Sequence, residues 1–444
     1  MSAASETPNQ RSYGAYAWYV AIVLGCANTV ASIDRSFISL VAEPIRIDLQ
    51  MTDTQVSLLM GLAYFLVYSI AVIPIAGLAD RSNRRRIMAA GIFIWSTATA
   101  LCGLSTTYLR LFLMRMGVGF GESMLPPSAV SVISDYFPRH VLARATAIYT
   151  VMGTVGTSLA SVLGGLLYRS LVASGDITLP VFGTLHPWQA AFLVISLPGF
   201  VVLALLATLK EPQRRRSASE TAHTPVAGDF RRHLWAKRKA ILAVVAGFSM
   251  IAATSGVATW NAILFIRTYG WEIGKIGPIL GTVSMICTLL GVFAGGWSAD
   301  VLRRRGYEDA NLRIILGTLC FVTPALLLVP NSGDPTLSVI FLAIATFGVN
   351  MCFGCQTPAL PLVAPSHMRT QVISLYFFFT NLISTGVTTL VALITDYGFH
   401  DPAAVRHSMT ITYVLLLPGA WIILWFARPA YLAEVRRLRD AETR

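Results

Sequence analysis

Long apolar runs recur along almost the whole chain, and they constrain its fold more than any other feature. A helix that crosses the hydrocarbon core of a bilayer needs about 20 apolar residues, and runs of that length repeat here with short polar breaks. The chain has 444 residues, of which 55% are hydrophobic and 13% charged, whereas about a quarter of a soluble domain is charged. The runs predict an all-α polytopic membrane protein, because a helix satisfies its own backbone hydrogen bonds in lipid.

Twelve of these runs are predicted to span the membrane, and we number them span 1 to span 12. They cover residues 15–42, 54–79, 87–105, 108–136, 144–170, 188–209, 240–268, 274–300, 312–329, 336–364, 369–396 and 405–427. With the N-terminus placed inside, most of the 34 Lys and Arg residues fall in inner segments. Cytoplasmic loops are enriched in these residues, so both termini are predicted to be cytoplasmic. In a bacterium the membrane would be the inner (plasma) membrane.

The longest polar stretch lies near the middle of the chain and separates six predicted spans from six. We therefore predict an N-terminal six-helix bundle over residues 1–209, a cytoplasmic linker between the bundles over 210–239, and a C-terminal six-helix bundle over 240–444. The net charge of +12 gathers in short loops and forms no basic face with interleaved aromatic residues. It indicates membrane topology and not nucleic-acid binding.

The two halves repeat each other. The loop "LADRSNRRR" follows span 2 and "SADVLRRR" follows span 8, so that Asp80 matches Asp300. In addition, "PRHVLARATAIY" begins span 5 and "PSHMRTQVISLY" begins span 11. Two matches in the same span order predict two pseudo-symmetric six-helix bundles around a central path, which is the architecture of a secondary transporter.

Four charged residues are predicted to lie at membrane depth in the N-terminal half. Asp34 and Arg35 interrupt span 1 in "ASIDRSFISL", and Arg115 and Glu122 lie two helical turns apart on one face of span 4. At about 1.5 Å per residue, the first pair falls between Glu122 and Arg115 in depth, so Arg35–Glu122 and Asp34–Arg115 pairs are both within reach. Ionisable groups at this depth are functional by default. A static network that only locks the helices together is the alternative.

A carboxylate beside an arginine can hold or release a proton, depending on which partner is near. We therefore expect Asp34 and Glu122 to couple transport to protons, and Arg35 and Arg115 to bind substrate. Further candidates for substrate contact are uncharged, and each could instead serve helix packing. They are Tyr64, Tyr68, Tyr149, Thr259, Asn261, Asn350, Gln356, Tyr376, Phe377, Asn381 and Thr385. A charged half facing a neutral, aromatic half suits an amphiphile with an anionic or zwitterionic head.

Other chemistries find little support. Gly117, Gly119 and Gly121 form "GVGFG" in the middle of span 4, where close helix packing is a better explanation than a nucleotide loop. The sequence has no Walker A motif, and its seven histidines show no ligand spacing, so we expect neither a cofactor nor a metal. Catalytic groups are not spaced convincingly either, and we expect the protein not to be an enzyme.

The loop "GLADRSNRRR", with twelve predicted spans and a middle loop, resembles the major facilitator superfamily. Three stretches resemble its spinster family of lysolipid and sphingolipid transporters: "DR" in span 1, "ADRSNRR…FIWSTAT" across spans 2 and 3, and "RMGVGFGES…ISDYFP" in span 4. Organic-anion symporters of the superfamily also carry "DR" in span 1. The spinster resemblance implies proton-responsive Asp34 and Glu122, with Arg35 near the lipid head.

The resemblance also implies a cytoplasmic gate between the halves. It places Asp80 near the start of span 11 and Asp300 near the start of span 5, beside Arg144. Basic residues of the same loops would complete this gate, and they are Arg84, Arg85 and Arg304. The alternative is that these loops only anchor the topology.

Together these features predict a secondary active transporter that works by alternating access, responds to protons and moves a lysolipid-like or sphingolipid-like amphiphile. An organic-anion or drug transporter of the same fold is one alternative, and a non-transporting membrane sensor or a lipid enzyme is another. We expect protons and membrane lipids as further partners, and a monomer.

Overall fold

The computed structural model describes residues 14–79, 81–179, 183–212, 234–235, 237–365 and 368–442. Helices account for nearly all of this part of the chain. A hairpin of two antiparallel strands, Ile177–Leu179 (β1) and Gly183–Leu185 (β2), lies between spans 5 and 6 and pairs Ile177 with Leu185. The apolar runs gave no signal for this hairpin.

The N-terminal half contains spans 1 to 6. Its helices are Ala15–Leu40 (span 1), the short outer helix Ala42–Asp48, Asp53–Met60 and Leu62–Ala79 (span 2), Arg84–Gly103 (span 3), Tyr108–Glu122 and Leu125–Tyr136 (span 4), Arg139–Ser174 (span 5), and Pro187–Ala207 (span 6).

The C-terminal half contains spans 7 to 12. Its helices are Arg238–Ala252, Thr254–Ala258 and Asn261–Tyr269 (span 7), Ile273–Arg304 (span 8), Ala310–Leu328 (span 9), Pro335–Ala359 (span 10), Arg369–Leu393 continued by a π-helical turn over Ile394–Phe399 (span 11), and Val405–Glu442 (span 12). Short 3₁₀ turns over Pro361–Val363 and Pro402–Ala404 follow span 10 and precede span 12.

Eleven helices in the described residues are long and apolar enough to cross a membrane. Span 4 supplies the twelfth crossing as two consecutive shorter helices. The first ends at Glu122 and the second begins at Leu125, with Pro126 and Pro127 in its first turn. Proline has no backbone N–H to donate to the preceding turn, so a helix tolerates it at a start and breaks before it. The break directly follows one of the charged residues at membrane depth.

Polar caps mark where several spans begin. Thr52 forms a capping box with Gln55 at the start of span 2. Asn83, Thr107 and Asp334 each accept a backbone N–H in the first turn of spans 3, 4 and 10. These side chains satisfy donors that the helix itself leaves free.

The "GVGFG" glycines bring span 4 against its neighbours, as predicted. A Cβ on Gly119 would lie 2.6 Å from the backbone oxygen of Tyr64 in span 2, and one on Gly121 would lie 2.6 Å from the backbone nitrogen of Trp95 in span 3. Both distances are too short for a carbon atom, so glycine is required for this approach.

Each described end of the linker is tied to its own half. Glu211 accepts from the Nε of Arg84 at 2.9 Å, and Lys237 lies 2.9 Å from Glu434 in span 12. Most of the linker, at 213–233 and residue 236, lies outside the described residues.

The last helix continues well beyond the predicted end of span 12 and holds the loop between spans 8 and 9. Asp309 in this loop accepts hydrogen bonds from Arg313 at 2.7 Å and from Arg428 at 2.5 Å. Burial alone would raise the pKa of Asp309, but these two bonds outweigh it and hold the pKa below its ordinary value. The end of the C-terminal half that is predicted to be cytoplasmic is therefore braced internally.

Candidate functional site

The charged residues of spans 1 and 4 come together, and we call Asp34, Arg35, Arg115 and Glu122 the charged cluster. Arg35 Nε lies 3.7 Å from Glu122 Oε2, so the predicted pair between these residues is present. A side-chain pair between Asp34 and Arg115, which the helical rise places within reach, is not formed in this conformation. Arg115 Nη1 donates instead to the backbone oxygen of Asp34 at 3.4 Å, and Thr99 in span 3 donates to the Asp34 carboxylate at 3.1 Å.

Burial separates the members of the charged cluster. Asp34 and Arg115 are each 1% exposed and Glu122 is 3% exposed, whereas the side chain of Arg35 is 42% exposed. Arg35 is therefore the member that a ligand can reach in this conformation. Arg115, which was predicted to bind substrate, is buried because its side chain extends to the backbone of span 1 and bonds the Asp34 oxygen.

Tyrosines of span 2 surround the accessible arginine. The hydroxyl of Tyr64 donates to Glu122 Oε2 at 2.8 Å, and its ring lies 5.6 Å from the guanidinium of Arg35. Tyr68 stacks on Tyr64 with ring centroids 5.4 Å apart. Tyr149 of span 5 is buried, and its hydroxyl has no hydrogen-bond partner among the described residues. The predicted tyrosines thus form an aromatic rim around one side of Arg35.

The charged cluster keeps unused hydrogen-bonding capacity. One carboxylate oxygen each of Asp34 and Glu122, and two nitrogens of Arg115, are buried without a hydrogen-bond partner in the part of the chain that the structure describes. A buried polar atom without a partner costs about 1–3 kcal/mol. The carboxylate oxygens among these atoms can take up a proton, and the nitrogens of Arg115 can form new hydrogen bonds when the helices move.

A cavity of about 380 Å³ lies between the two halves, and we call it the central cavity. Three predicted residues of the C-terminal half line it, namely Thr259, Asn261 and Asn350. Ser39 lines it from span 1, four residues and therefore one helical turn beyond Arg35. The hydroxyl residues Thr154, Thr157, Ser158, Ser161, Thr254, Ser255, Ser284, Thr288 and Thr346 complete its polar wall, which contains no charged residue.

The other predicted residues of the C-terminal half lie elsewhere. Gln356 is fully buried and accepts from the hydroxyl of Tyr376 at 2.9 Å, so these two form a bond between spans 10 and 11. Phe377 is exposed, and Asn381 donates to its backbone oxygen within the same helix. Thr385 packs against Gly61 of span 2. These residues do not line the central cavity in this conformation.

A second group of charges, which the sequence did not predict, joins the two halves at the face that is predicted to lie outside. We call this face the outer face. We call Glu43, Arg46, Asp53 and Arg267 the outer ion-pair cluster. Arg267 of span 7 lies 2.7 Å from Glu43 and 2.6 Å from Asp53, and Arg46 lies 2.9 Å from Glu43. Burial alone would raise the pKa of Glu43, but the bonds from Arg267 and Arg46 outweigh it and lower the pKa.

Further contacts close the same face. Asp396 at the end of span 11 accepts from the backbone N–H of Thr54 at 2.7 Å. Spans 5 and 8 touch near their outer ends, where a Cβ on Gly277 would lie 2.7 Å from the backbone oxygen of Ser161. The conformation is therefore closed at the outer face. One sequence signal was available: arginines at outer helix ends are uncommon, and Arg46 lies three residues after Glu43.

Of the residues predicted for the cytoplasmic gate, those that the structure describes form no hydrogen bond or ion pair with the other half. Asp300 is exposed and lies 3.8 Å from Arg303 of its own helix, and Arg144 is exposed as well. Arg84 pairs with Asp135 at 2.5 Å and Arg85 donates to the backbone oxygen of Leu209, so both stay within the N-terminal half. Arg304 is exposed. Asp80 lies outside the described residues.

Comparison with known proteins identifies the family. A family model described as Major Facilitator Superfamily matches residues 24–389. The chain belongs to the Major Facilitator Superfamily. The fold agrees: the chain superposes on a bacterial homologue of the human lysosomal transporter spinster, solved in an inward-facing and unoccupied conformation, with a TM-score of 0.76 over 97% of this chain and 99% of the other, at 23% identity.

Three relatives of the chain carry names that point to different kinds of transporter or state no substrate. An MFS-type efflux pump of Mycolicibacterium smegmatis is 26% identical over 94% of this chain and 94% of its own. Protein spinster of Drosophila melanogaster is 26% identical over 81% of this chain, and the match spans 58% of that protein. A probable L-galactonate transporter of Escherichia coli is 22% identical over 84% of this chain and 82% of its own. The protein is thus a multi-pass transporter that resembles spinster.

Proposed function

We propose that the protein is a proton-responsive secondary transporter that moves a lysolipid-like or sphingolipid-like amphiphile by alternating access. The observation that carries this proposal is the exposure of Arg35, whose side chain is 42% exposed while its partner Glu122 is 2% exposed. A guanidinium presents two parallel donors to a phosphate or carboxylate. The aromatic rim beside it offers an apolar surface to the first part of a tail. The resemblance of the sequence to the spinster family of lysolipid and sphingolipid transporters implies the same kind of cargo.

The proton response follows from competition for Arg35. While Glu122 is charged, it attracts the guanidinium; when Glu122 is protonated, that attraction is lost and Arg35 is free to bind an anionic head. Asp34, the residue before Arg35, is the second carboxylate that we propose to gain and lose a proton. It accepts a hydrogen bond from Thr99. Protonation and substrate binding are thereby coupled, because each favours the same arrangement of Arg35.

The gate is part of the same proposal. With both termini in the cytoplasm, the outer ion-pair cluster closes one side, and Asp80 and Asp300 close the other when the bundles rock against each other. Asp300 is exposed here because the inner contact belongs to the alternative conformation.

A second candidate cargo is a hydroxylated organic anion. The central cavity supports it, because its walls carry many hydroxyl groups and no charge, and it begins one helical turn beyond Arg35. An acid group on Arg35 and several hydroxyl groups in the central cavity would satisfy such a substrate. Several of the wall hydroxyls already donate to backbone oxygens of their own helices, but their lone pairs can still accept from a substrate hydroxyl, whereas an alkyl tail would form no hydrogen bond with them. The relative named as a probable L-galactonate transporter agrees with this alternative.

Flux measurements in proteoliposomes separate the two candidates. Labelled lysophospholipids, sphingosine-like amphiphiles and L-galactonate would be offered with and without a pH gradient. The proposal expects amphiphile flux that responds to the gradient, and flux of galactonate alone would replace it with the second candidate. Binding without flux would indicate a sensor, and conversion of a lipid without a gradient would indicate an enzyme.

Two variants test the proton response on the same preparations. Asp34→Asn and Glu122→Gln should fold, because each removes a charge from the membrane interior, yet flux should lose its pH dependence. Asp440→Asn, at an exposed carboxylate of the last helix, serves as a matched control outside the charged cluster and the proposed gate. If the variants melt at lower temperature while flux per folded molecule keeps its normal pH dependence, the charged cluster only locks the helices together.

A further inference from the structure

An outer pocket, separate from the central cavity, lies where the outer ends of the two halves meet. Its volume is about 850 Å³, and its walls come from the helix after span 1, the end of span 5, the start of span 6 and the turn between spans 7 and 8. A pocket of this size accommodates a lipid head or a small molecule. Because both halves build it, the pocket is complete only while the outer face is closed.

Two acidic side chains in the wall of the outer pocket are already held by protein groups. Glu43 belongs to the outer ion-pair cluster, 2.7 Å from Arg267. Asp48 accepts a hydrogen bond from the indole nitrogen of Trp188 at 2.9 Å, and it lies 3.2 Å from His186. Neither carboxylate is therefore available to a ligand without losing a partner.

Two other charges in the wall are available. The side chains of Arg169 and Glu272 make no hydrogen bond or ion pair with any residue that the structure describes. The position of Arg169 is nonetheless fixed, because its stem lies across Gly274, where an added Cβ would be 2.7 Å from the Cβ of Arg169. The outer pocket thus offers one unpaired guanidinium and one unpaired carboxylate.

Aromatic side chains complete the wall. Tyr168, Trp188 and Trp271 line the outer pocket. The ring face of Trp271 already contacts an ammonium group, since Lys275 Nζ is 3.8 Å from the ring centroid. Aromatic faces and carboxylates attract ammonium groups, and a guanidinium binds phosphate. Ile47 and Val172, which also line the outer pocket, are 63% and 52% exposed and offer apolar surface.

We propose that the outer pocket binds the zwitterionic head of an outer-leaflet phospholipid, with its phosphate on Arg169 and its ammonium beside Glu272. The acyl chains lie along Ile47 and Val172. A membrane lipid is the occupant because the charges match a joined phosphate and ammonium, and because the outer pocket adjoins apolar side chains at the outer ends of the spans. Since the outer pocket needs both halves together, the bound lipid stabilises the outer-closed conformation.

The test measures the outer face in three lipids. The full-length protein, with its six native cysteines replaced and spin labels on Thr106→Cys and Asn331→Cys, would be placed in nanodiscs. Phosphatidylethanolamine carries phosphate and ammonium, phosphatidylglycerol carries phosphate alone, and a diglucosyl lipid carries neither. The ratio of outer-closed to outer-open molecules should be about threefold higher or more in phosphatidylethanolamine than in either of the others.

Variants assign the effect to the outer pocket. Arg169→Gln and Glu272→Gln should each abolish the difference between the lipids, and Arg406→Gln, at an exposed outer arginine outside the outer pocket, should keep it. Native mass spectrometry should show phosphatidylethanolamine retained by the unaltered protein and lost from Arg169→Gln. Three outcomes would overturn the proposal. The ratios could be equal in all three lipids, phosphatidylglycerol could act as strongly as phosphatidylethanolamine, or the lipid effect could persist in both outer-pocket variants.

Discussion

The outer face of the interface between the two halves and the opposite face, which is predicted to be cytoplasmic, both carry charged residues, but the ion pairs at the two faces differ. At the outer face, Arg267 of the C-terminal half binds Glu43 and Asp53 of the N-terminal half. At the cytoplasmic face, the described ion pairs stay within one half, as Arg84 does with Asp135. Among the described residues, the side-chain ion pairs that join the two halves thus lie at the outer face. Charges that cross the interface decide which side is closed, and the following predictions test that difference.

The largest effect is expected from Arg267→Gln. This change removes the cation that joins Glu43 and Asp53 to the other half and leaves them only Arg46, at 2.9 and 3.7 Å. Removing one partner from a buried pair costs up to about 3–5 kcal/mol. The outer face should open, so Ser39→Cys in the central cavity should react more than tenfold faster with an impermeant thiol reagent added outside. Arg406→Gln, which alters an exposed outer arginine bonded to His407, is the control. Equal labelling in both variants would show that Arg267 does not hold the face closed.

A smaller effect is expected from Arg35→Lys inside the membrane. The lysine keeps the charge but loses the planar pair of donors, so the affinity for an anionic substrate should fall about tenfold. The melting temperature should change little, because Arg35 is the exposed member of the charged cluster. Arg110→Lys, at an exposed outer position, is the matched control for the substitution. Full affinity in Arg35→Lys would place the substrate head elsewhere.

Strong acid should weaken the outer ion-pair cluster, whereas moderately low pH should not. Because the pKa of Glu43 is lowered in the folded protein, its contribution is fully present above the ordinary Glu value of about 4.3 and is lost as the pH falls through the lowered pKa. Spin-label distances across the outer face should stay short from pH 7 to about 5 and lengthen below about 4. Glu43→Gln should flatten this transition. Opening with a midpoint above pH 5 would point to a different titrating group.

The smallest effect is expected from Asp300→Asn. Its carboxylate is exposed and 3.8 Å from Arg303 of the same helix, and such a surface pair contributes about 0–1 kcal/mol. The melting temperature of the outer-closed protein should hardly change. If Asp300 serves the cytoplasmic gate, the population should instead shift further toward inward-open molecules when a substrate gradient drives the cycle. Cysteine labelling on both faces measures this, and unchanged labelling there would reduce the loop to a topology anchor.

The sequence alone determined the features that arise from local chemistry. Hydropathy located the spans, because every backbone group in lipid must bond within its own helix. Helical periodicity and depth placed Arg35 near Glu122, since both follow from the rise per residue. The motifs of the charged loops pointed to the superfamily, which the match over residues 24–389 then showed.

Tertiary structure decided the contacts between distant elements. Arg267 and Glu43 lie 224 residues apart in sequence, and no local pattern says that their helix ends meet. The direction of Arg115, which bonds the backbone of Asp34 rather than its carboxylate, depends on how closely spans 1 and 4 approach. The hydroxyl groups that line the central cavity come from several spans. Taken singly, each of these Ser and Thr residues looks like a polar residue that serves helix packing. Helix rotation and the relative position of the two halves fix these features, and both depend on packing across the whole bundle.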